Sequence, residues 1–206
     1  SFRKYLKERF IDHVHLKEFV FVETEGDVDD NIRMLTRRLR EKTIDVGVIG
    51  IGENAHIAFN DPPADFDTKR AYIIVNLDSR CKKQQVGEGW FKDEDEVPRQ
   101  AVSMTPYQIM QCAHIISPVP HKVKADAVKK VLSAKTVDPM VPGSLLKTHP
   151  DFQVCVDSPL ANEATRIFSG NLHGYLDEAA IEALKGGALF QFPGLTLTES
   201  SEESKA

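Results

Sequence analysis

The stretch Ile44-Asp-Val-Gly-Val-Ile-Gly-Ile-Gly-Glu-Asn-Ala-His-Ile-Ala-Phe-Asn-Asp-Pro-Pro63 constrains the fold more than any other part of the chain. Its first half is apolar and rich in β-branched residues, with Val46, Val48 and Ile49 nearly uninterrupted. That is the composition of a parallel strand covered on both faces. The run stops at Gly50 and Gly52, which have no Cβ and so let the backbone turn sharply and lie close to a ligand. Glu53, Asn54, His56, Asn60 and Asp61 follow at once. A strand ending in such a loop brings several polar side chains to the carboxyl end of a sheet, where open α/β folds bind ligands.

The flanking sequence alternates helical and strand patterns. Phe2, Tyr5, Leu6, Phe10, Ile11 and Val14 recur at helical spacing and predict an amphipathic first helix. A strand is expected over 19–22, then turn and capping residues over 26–30. A basic helix follows, with Ile32, Leu35 and Leu39 as its buried stripe, ending near Lys42. After the central loop come a strand over 71–75, a helix capped by Asp78 or Ser79, a strand over 101–104 and a helix opened by Thr105-Pro106. A strand over 114–117 should be broken by Pro118 and Pro120. A helix over 122–132 has Val123, Ala127, Val128 and Val131 as its stripe, and a short helix at 144–146 leads to a strand over 152–156. A further helix over 176–184 ends at Gly186-Gly187. These alternations predict a Rossmann-like α/β three-layer sandwich with a mainly parallel sheet, built as one domain over 1–190 with a polar, disordered tail over 191–206.

Composition narrows the function. With 206 residues and 41% hydrophobic content the chain can bury a good core as a single domain. A net charge of −5 argues against a nucleic-acid surface or a basic membrane patch, so an anionic ligand must be held by a few local cations. No apolar run reaches membrane-spanning length. Cys81, Cys112 and Cys155 are odd in number and far apart, which fits reduced structural thiols and a cytoplasmic setting.

A histidine among carboxylate and carboxamide groups, with no cysteine cluster nearby, suits proton transfer better than metal binding, and no metal or cofactor is expected. His56 needs a partner to fix its tautomer, and Asp61 can supply one if the loop folds back. The competing reading has His56 satisfying backbone groups while Asp61 caps a turn. A dinucleotide fingerprint fails because Ala55 stands where its third glycine belongs, and no Gly-Lys-Ser/Thr makes a phosphate loop.

The run Gly50-Ile-Gly-Glu-Asn-Ala-His-Ile-Ala-Phe-Asn-Asp-Pro62 resembles the signature of the glucosamine-6-phosphate deaminase family, and the resemblance extends over about residues 1–160. It implies amino-sugar phosphate chemistry without a cofactor. His56 would act as the acid/base that opens the sugar ring, oriented by Asn54 and Asp61, with Gly52, Glu53 and Ala55 in the substrate loop. Lys122, opening a helix after Pro120-His121, would hold the phosphate. Three positions depart from the family pattern: Ala55 replaces a glycine, Asp61 replaces a glutamate, and Gln85 stands where a phosphate-binding arginine aligns.

The family also has an earlier strand-helix segment with a Gly-rich phosphate loop and the aspartate that abstracts the C2 proton. This sequence resembles a deaminase without that portion, which leaves Glu53 as the nearest carboxylate to stand in. Two expectations follow: a deaminase converting glucosamine 6-phosphate to fructose 6-phosphate and ammonia, or a non-catalytic homologue that binds sugar phosphate or a partner chain. An uncovered edge beside Val46–Val48 would favour a homo-oligomer.

Overall fold

The computed structural model describes residues 2–156 together with strands at 189–192 and 196–198. The helix expected over 176–184 and the tail from 199 onward lie outside the described residues.

The chain opens with α1 (Phe2–Arg9) and a 3-10 turn, Ile11–His13, so the first helix is shorter than its apolar spacing predicts. Its apolar residues Tyr5, Leu6 and Phe10 remain about half exposed. Tyr5 does find a partner, meeting the Trp90 ring edge-on at 5.0 Å. The strand expected over 19–22 does not form. Phe19 and Phe21 pack on each other at 5.4 Å, and the Val22 carbonyl accepts from Arg3 Nη2 at 2.6 Å instead of joining a ladder.

Asp27 caps α2 (Val28–Leu39), its carboxylate accepting from the Asp30 N–H at 2.9 Å. The stripe of α2 does not cover the central strand, β1 (Val46–Val48). Ile32, with Leu35 and Leu39, packs on Ala71, Tyr72 and Val102, which belong to or adjoin a separate antiparallel pair, β2 (Tyr72–Asn76) and β3 (Gln100–Met104). Between these strands runs α3 (Ser79–Gly87), capped by Asp78 as expected, the carboxylate accepting from the Cys81 N–H at 2.6 Å. Thr105 and Pro106 start α4 (Pro106–Ile109), with Thr105 Oγ1 accepting from the Gln108 N–H at 3.1 Å.

The main sheet has the order β1-β4-β5-β6-β7, where β4 is His114–Val119, β5 Phe152–Val156, β6 Leu189–Phe192 and β7 Thr196–Thr198. Strands β1, β4 and β5 are parallel, as the α/β pattern predicts, and β6 and β7 add antiparallel to the far side. Two corrections follow. Residues 191–192 and 196–198 are strand rather than tail. Among the described residues strand β1 lies at the edge of the sheet, with Val46 49% and Val48 67% exposed, so it is not covered on both faces.

Pro118 sits inside β4, in register with Cys155, instead of breaking the strand. The alternation of β4 explains this. The Ile115 N–H donates to Asp151 on the β5 side, while the Ile116 carbonyl accepts from Ile49 on the β1 side. Pro118 therefore also faces the β1 side, but beyond Ile116, where the pairing with β1 has ended, and its missing N–H costs no ladder bond.

A 3-10 turn, Lys122–Lys124, leads into α5 (Ala125–Ser133), and a 3-10 segment, Pro142–Thr148, precedes β5. The core forms where Val128 and Val131 of α5, with Leu146, Ile57 and Ile109, pack against Ile115, Val119, Phe152 and Val154 of the sheet. No described helix is long and apolar enough to cross a membrane.

Candidate active site

The loop after β1 folds back on itself. The Gly52 N–H donates to the His56 carbonyl at 2.9 Å, and the Ala55 N–H donates to the Gly52 carbonyl at 2.9 Å. This tight closure places Ala55 at φ +69° and Ala58 at φ +49°, in the left-handed region that favours glycine. Asn60 anchors the loop to β3, its Nδ2 donating to the carbonyls of Ile57 and Met104 at 2.8 Å each.

Within the loop, Asn54 works in both directions. Its Oδ1 accepts from the His56 backbone N–H at 3.1 Å, and its Nδ2 donates to Asp61 Oδ1 at 2.9 Å. The same Asp61 oxygen lies 3.1 Å from His56 Nδ1, with the two side chains 8% and 9% exposed. The imidazole N–H does not point squarely at that oxygen, yet buried Nδ1 has no other partner among the described residues, which makes the carboxylate its acceptor. The second oxygen of Asp61 accepts from the Asp78 N–H at 3.3 Å, linking the loop to the cap of α3.

Burial alone would push the Asp61 carboxyl up. The hydrogen bonds from His56 and Asn54, with the nearby imidazole and the Asp78 N–H, outweigh that and hold it below the usual carboxylate value. Asp61 is therefore an anion at neutral pH, and it fixes the proton of His56 on Nδ1. Nε2 is left as the nitrogen that can exchange a proton with a ligand.

Gly52 is required for a different reason from the one its position suggests. A Cβ there would stand 2.2 Å from both Cε1 and Nε2 of His56, so the glycine makes room for the imidazole ring. Gly50 meets nothing within 4 Å.

A cavity of about 860 Å³ opens at the carboxyl ends of β1 and β4. His56, Gly52 and Glu53 line it from one side, Gln85 and Glu88 from α3 and the residue that follows it, and His121 and Lys124 from the turn after β4. The expected substrate lysine, Lys122, is exposed and does not line the cavity. Lys124, two residues on, does: it is 8% exposed and is the one Lys or Arg among the lining residues, with Nζ 3.2 Å from Glu88. Successive residues of a 3-10 turn rotate by about 120°, so positions 122 and 124 face different ways. A sequence signal for Lys124 did exist, because 124, 128 and 131 fall on one helical stripe with the buried valines.

The other expected residues divide. Asn54 and Asp61 hold His56 from behind without lining the cavity. Ala55 is fully buried, its carbonyl accepting from the Gly143 N–H at 2.9 Å, and it also stays out of the cavity. Glu53 is exposed at the cavity wall, its backbone N–H donating to Gln84 Oε1 at 3.2 Å.

His56, Asp61 and Cys81 bring ligand atoms within 4.8 Å of one another, the one group among the described residues able to grip a metal ion. Burial, reinforced by Asp61, Asp78 and Glu88, pushes the Cys81 thiol up to about 12. Without a cation the cluster presents a neutral thiol, which would have to give up its proton to become a metal ligand.

No family profile matches the chain. It is 33% identical over 150 residues to glucosamine-6-phosphate deaminase of Staphylococcus epidermidis, covering 73% of this chain and 58% of that protein. It is 31% identical to the glucosamine-6-phosphate deaminase of Halothermothrix orenii, covering 79% of this chain and 67% of that protein. Its fold matches a solved monomeric glucosamine-6-phosphate deaminase with a TM-score of 0.71 at 26% identity, over 79% of this chain and 67% of the other. The chain thus spans about three fifths to two thirds of the length of these relatives. With His56, Asn54 and Asp61 joined in one buried network at the carboxyl end of its parallel strands, the chain belongs to the glucosamine-6-phosphate deaminase family.

Proposed function

We propose that the site opens the ring of glucosamine 6-phosphate, the first step in its conversion with water to fructose 6-phosphate and ammonia. The observation that carries this reading is the 3.1 Å approach of Asp61 to His56 Nδ1, with Asn54 clamping both. A base held in one tautomer by a buried carboxylate can take the anomeric hydroxyl proton on Nε2 and return a proton to the ring oxygen. Positioned acid/base groups of this kind contribute about a hundred- to ten-thousand-fold. Lys124 supports the choice of a phosphate ester, since a buried ammonium on a cavity wall is a point charge for a phosphate. Glu88 accepts from that ammonium at 3.2 Å, which leaves its other N–H groups to a phosphate.

A second reading, a homologue that binds sugar phosphate without turning it over, draws support from the cavity carboxylates. Glu88 is engaged by Lys124, Gln84 and Trp90, and Glu53 is exposed. Neither is hydrogen-bonded to the network of His56, Asn54 and Asp61 among the described residues. Ammonia release from glucosamine 6-phosphate separates the two readings. Turnover that falls by a hundredfold or more in His56→Ala supports the deaminase. Calorimetric binding of the sugar phosphate with no ammonia released supports the second reading, and undiminished turnover in His56→Ala removes His56 from the mechanism.

A further inference from the structure

Glu88 joins three other cavity-lining residues in one network. Its Oε1 accepts from Gln84 Nε2 at 2.8 Å and from Lys124 Nζ at 3.2 Å, and its Oε2 accepts from the Trp90 indole N–H at 3.1 Å. The carboxylate therefore stands where the end of α3 meets the turn after β4, with lining groups on either side of it. An ionised carboxylate has about four acceptor sites, so these donors leave one open, on Oε2. That site is within reach of a ligand, because the Glu88 side chain is 40% exposed, against 10% for Lys124. Burial pushes the Glu88 carboxyl up, but the Gln84 hydrogen bond, the Lys124 charge and the Trp90 N–H outweigh it and hold it below the usual value, so Glu88 is an anion at neutral pH. Histidines apart, the charged residues lining the cavity are Glu53, Glu88 and Lys124, so carboxylates outnumber ammonium groups there.

We propose that Glu88 is the specificity-determining residue that selects an amino-sugar phosphate over the same sugar phosphate with a hydroxyl, its Oε2 accepting from the protonated amine while Lys124 takes the phosphate. This rests on the sugar-phosphate reading above and holds whether or not the ligand is turned over. A phosphate alone adds negative charge to a wall already in excess of it, and Glu88 offsets the one ammonium that would receive it. A protonated amine on the same molecule reverses that balance. Oε1 is given to Lys124 and Gln84 and Oε2 to Trp90, so the anionic and cationic ends of the ligand fall on opposite sides of the carboxylate. A hydroxyl in place of the amine can fill the same acceptor, but as a neutral donor it makes the weaker bond and leaves the excess charge in place.

Calorimetry on the full chain with inorganic phosphate, glucose 6-phosphate and glucosamine 6-phosphate tests the assignment. The parent is expected to bind glucosamine 6-phosphate about tenfold or more tightly than glucose 6-phosphate, the difference between a charge-assisted and a neutral hydrogen bond. Glu88→Gln, which keeps the shape and removes the charge, should bring that ratio close to one while binding inorganic phosphate as tightly as the parent or more so, because Lys124 is no longer offset. Glu88→Ala should lose the preference too, and it decides the matter if the glutamine variant does not fold. A ratio retained in the variants makes the Glu88–Lys124 pair purely structural and overturns the assignment, as does a parallel loss of inorganic phosphate, which would mean that Glu88 acts only by holding Lys124. A parent that binds both sugar phosphates equally overturns it as well and leaves the sugar-phosphate reading standing. A parent that binds neither overturns that reading and this inference with it.

Discussion

Gly52→Ala should displace His56, and the structure sets the size of the effect. The added methyl would stand 2.2 Å from Cε1 and Nε2 and 2.6 Å from Cδ2 of the ring, where ordinary contacts begin at 3.4 Å. The ring is not the free end of a flexible chain. It is 6% exposed, and Asp61 and Asn54 hold it from behind. Relief therefore requires a shift of about 1 Å, enough to lose the approach to Asp61, and overpacking of this kind costs about 1–3 kcal/mol. For a domain of this size that lowers the melting temperature by about 2–12 °C. A misplacement of about 1 Å in a reacting group can cost about a hundredfold in rate. Gly50→Ala is the control, because it meets nothing within 4 Å and removes unfolded-state freedom, so it should melt at or slightly above the parent. The assay is thermal melting of both variants together with the imidazole resonances of His56 by NMR. If Gly52→Ala melts like Gly50→Ala and the His56 resonances do not move, the argument that this glycine exists to seat the ring is wrong.

Lys124→Ala should weaken glucosamine 6-phosphate binding by about 1.5–3 kcal/mol, the range for a hydrogen bond to a charged group, while Lys122→Ala leaves it unchanged; calorimetry showing the reverse would return the phosphate to Lys122. Asp61 has a folded-state pKa below its unfolded value, so its stabilisation is present above about pH 4 and is lost as pH falls through the lower folded value. Asp61→Asn should accordingly be about 1.5–3 kcal/mol less stable at pH 7 and lack that part of the acid limb, and urea midpoints that run parallel from pH 3 to 7 would contradict this. Ala55→Gly relieves the strain of a φ of +69°, worth about 1–2 kcal/mol. It also loses a fully buried methyl, about 0.8 kcal/mol, and adds freedom to the unfolded chain, about 0.4–1 kcal/mol, so its denaturant midpoint should stay close to the parent's.

What the sequence made legible was local. The strand-loop run, the caps Asp27, Asp78 and Thr105, and the apolar stripes of α2 and α5 depend on neighbours a few residues away, and each forms where its pattern places it except at Val123, which falls in the 3-10 turn before α5 and is 59% exposed. What it hid was pairing. Nothing near Val46 says that β1 ends a sheet, nor that β2 and β3 form a sheet of their own on which α2 rests. The run 19–22 has strand composition, but a strand needs a neighbour and none lies beside it among the described residues. Pro118 reads as a breaker until the length of β1 is known. At the site, the pairing of His56 with Asp61 was open to a sequence argument because the loop closes on itself, whereas the cavity's far wall required the fold. His149 shows a histidine used for structure: it is 3% exposed, its Nε2 lies 2.8 Å from the Cys112 carbonyl, and its Nδ1 lies 2.9 Å from the carbonyl and 3.1 Å from the N–H of Asp151. Both nitrogens hold backbone, and none is left for chemistry.

The same accounting explains why, in the proposed mechanism, one histidine is left for chemistry in a loop crowded with polar groups. Asn60 gives its amide hydrogens to backbone carbonyls, Asn54 bridges the His56 N–H and Asp61, and Asp61 takes its donors from Asn54, His56 and Asp78. Each of these groups is buried or nearly so, where an unmet donor or acceptor is expensive, so the loop can adopt this path only if they satisfy one another. The outcome is a rigid cradle with a single reactive edge, the side of the imidazole remote from Asp61. Groups that choose the ligand cannot come from the cradle, because its hydrogen-bonding capacity is already used. In the proposed reading they come from Lys124 after β4 and from Glu88 at the end of α3, on the cavity wall across from the loop. Changes in the cradle should therefore alter rate and stability together, whereas changes at Lys124 should alter affinity while leaving the His56 network intact.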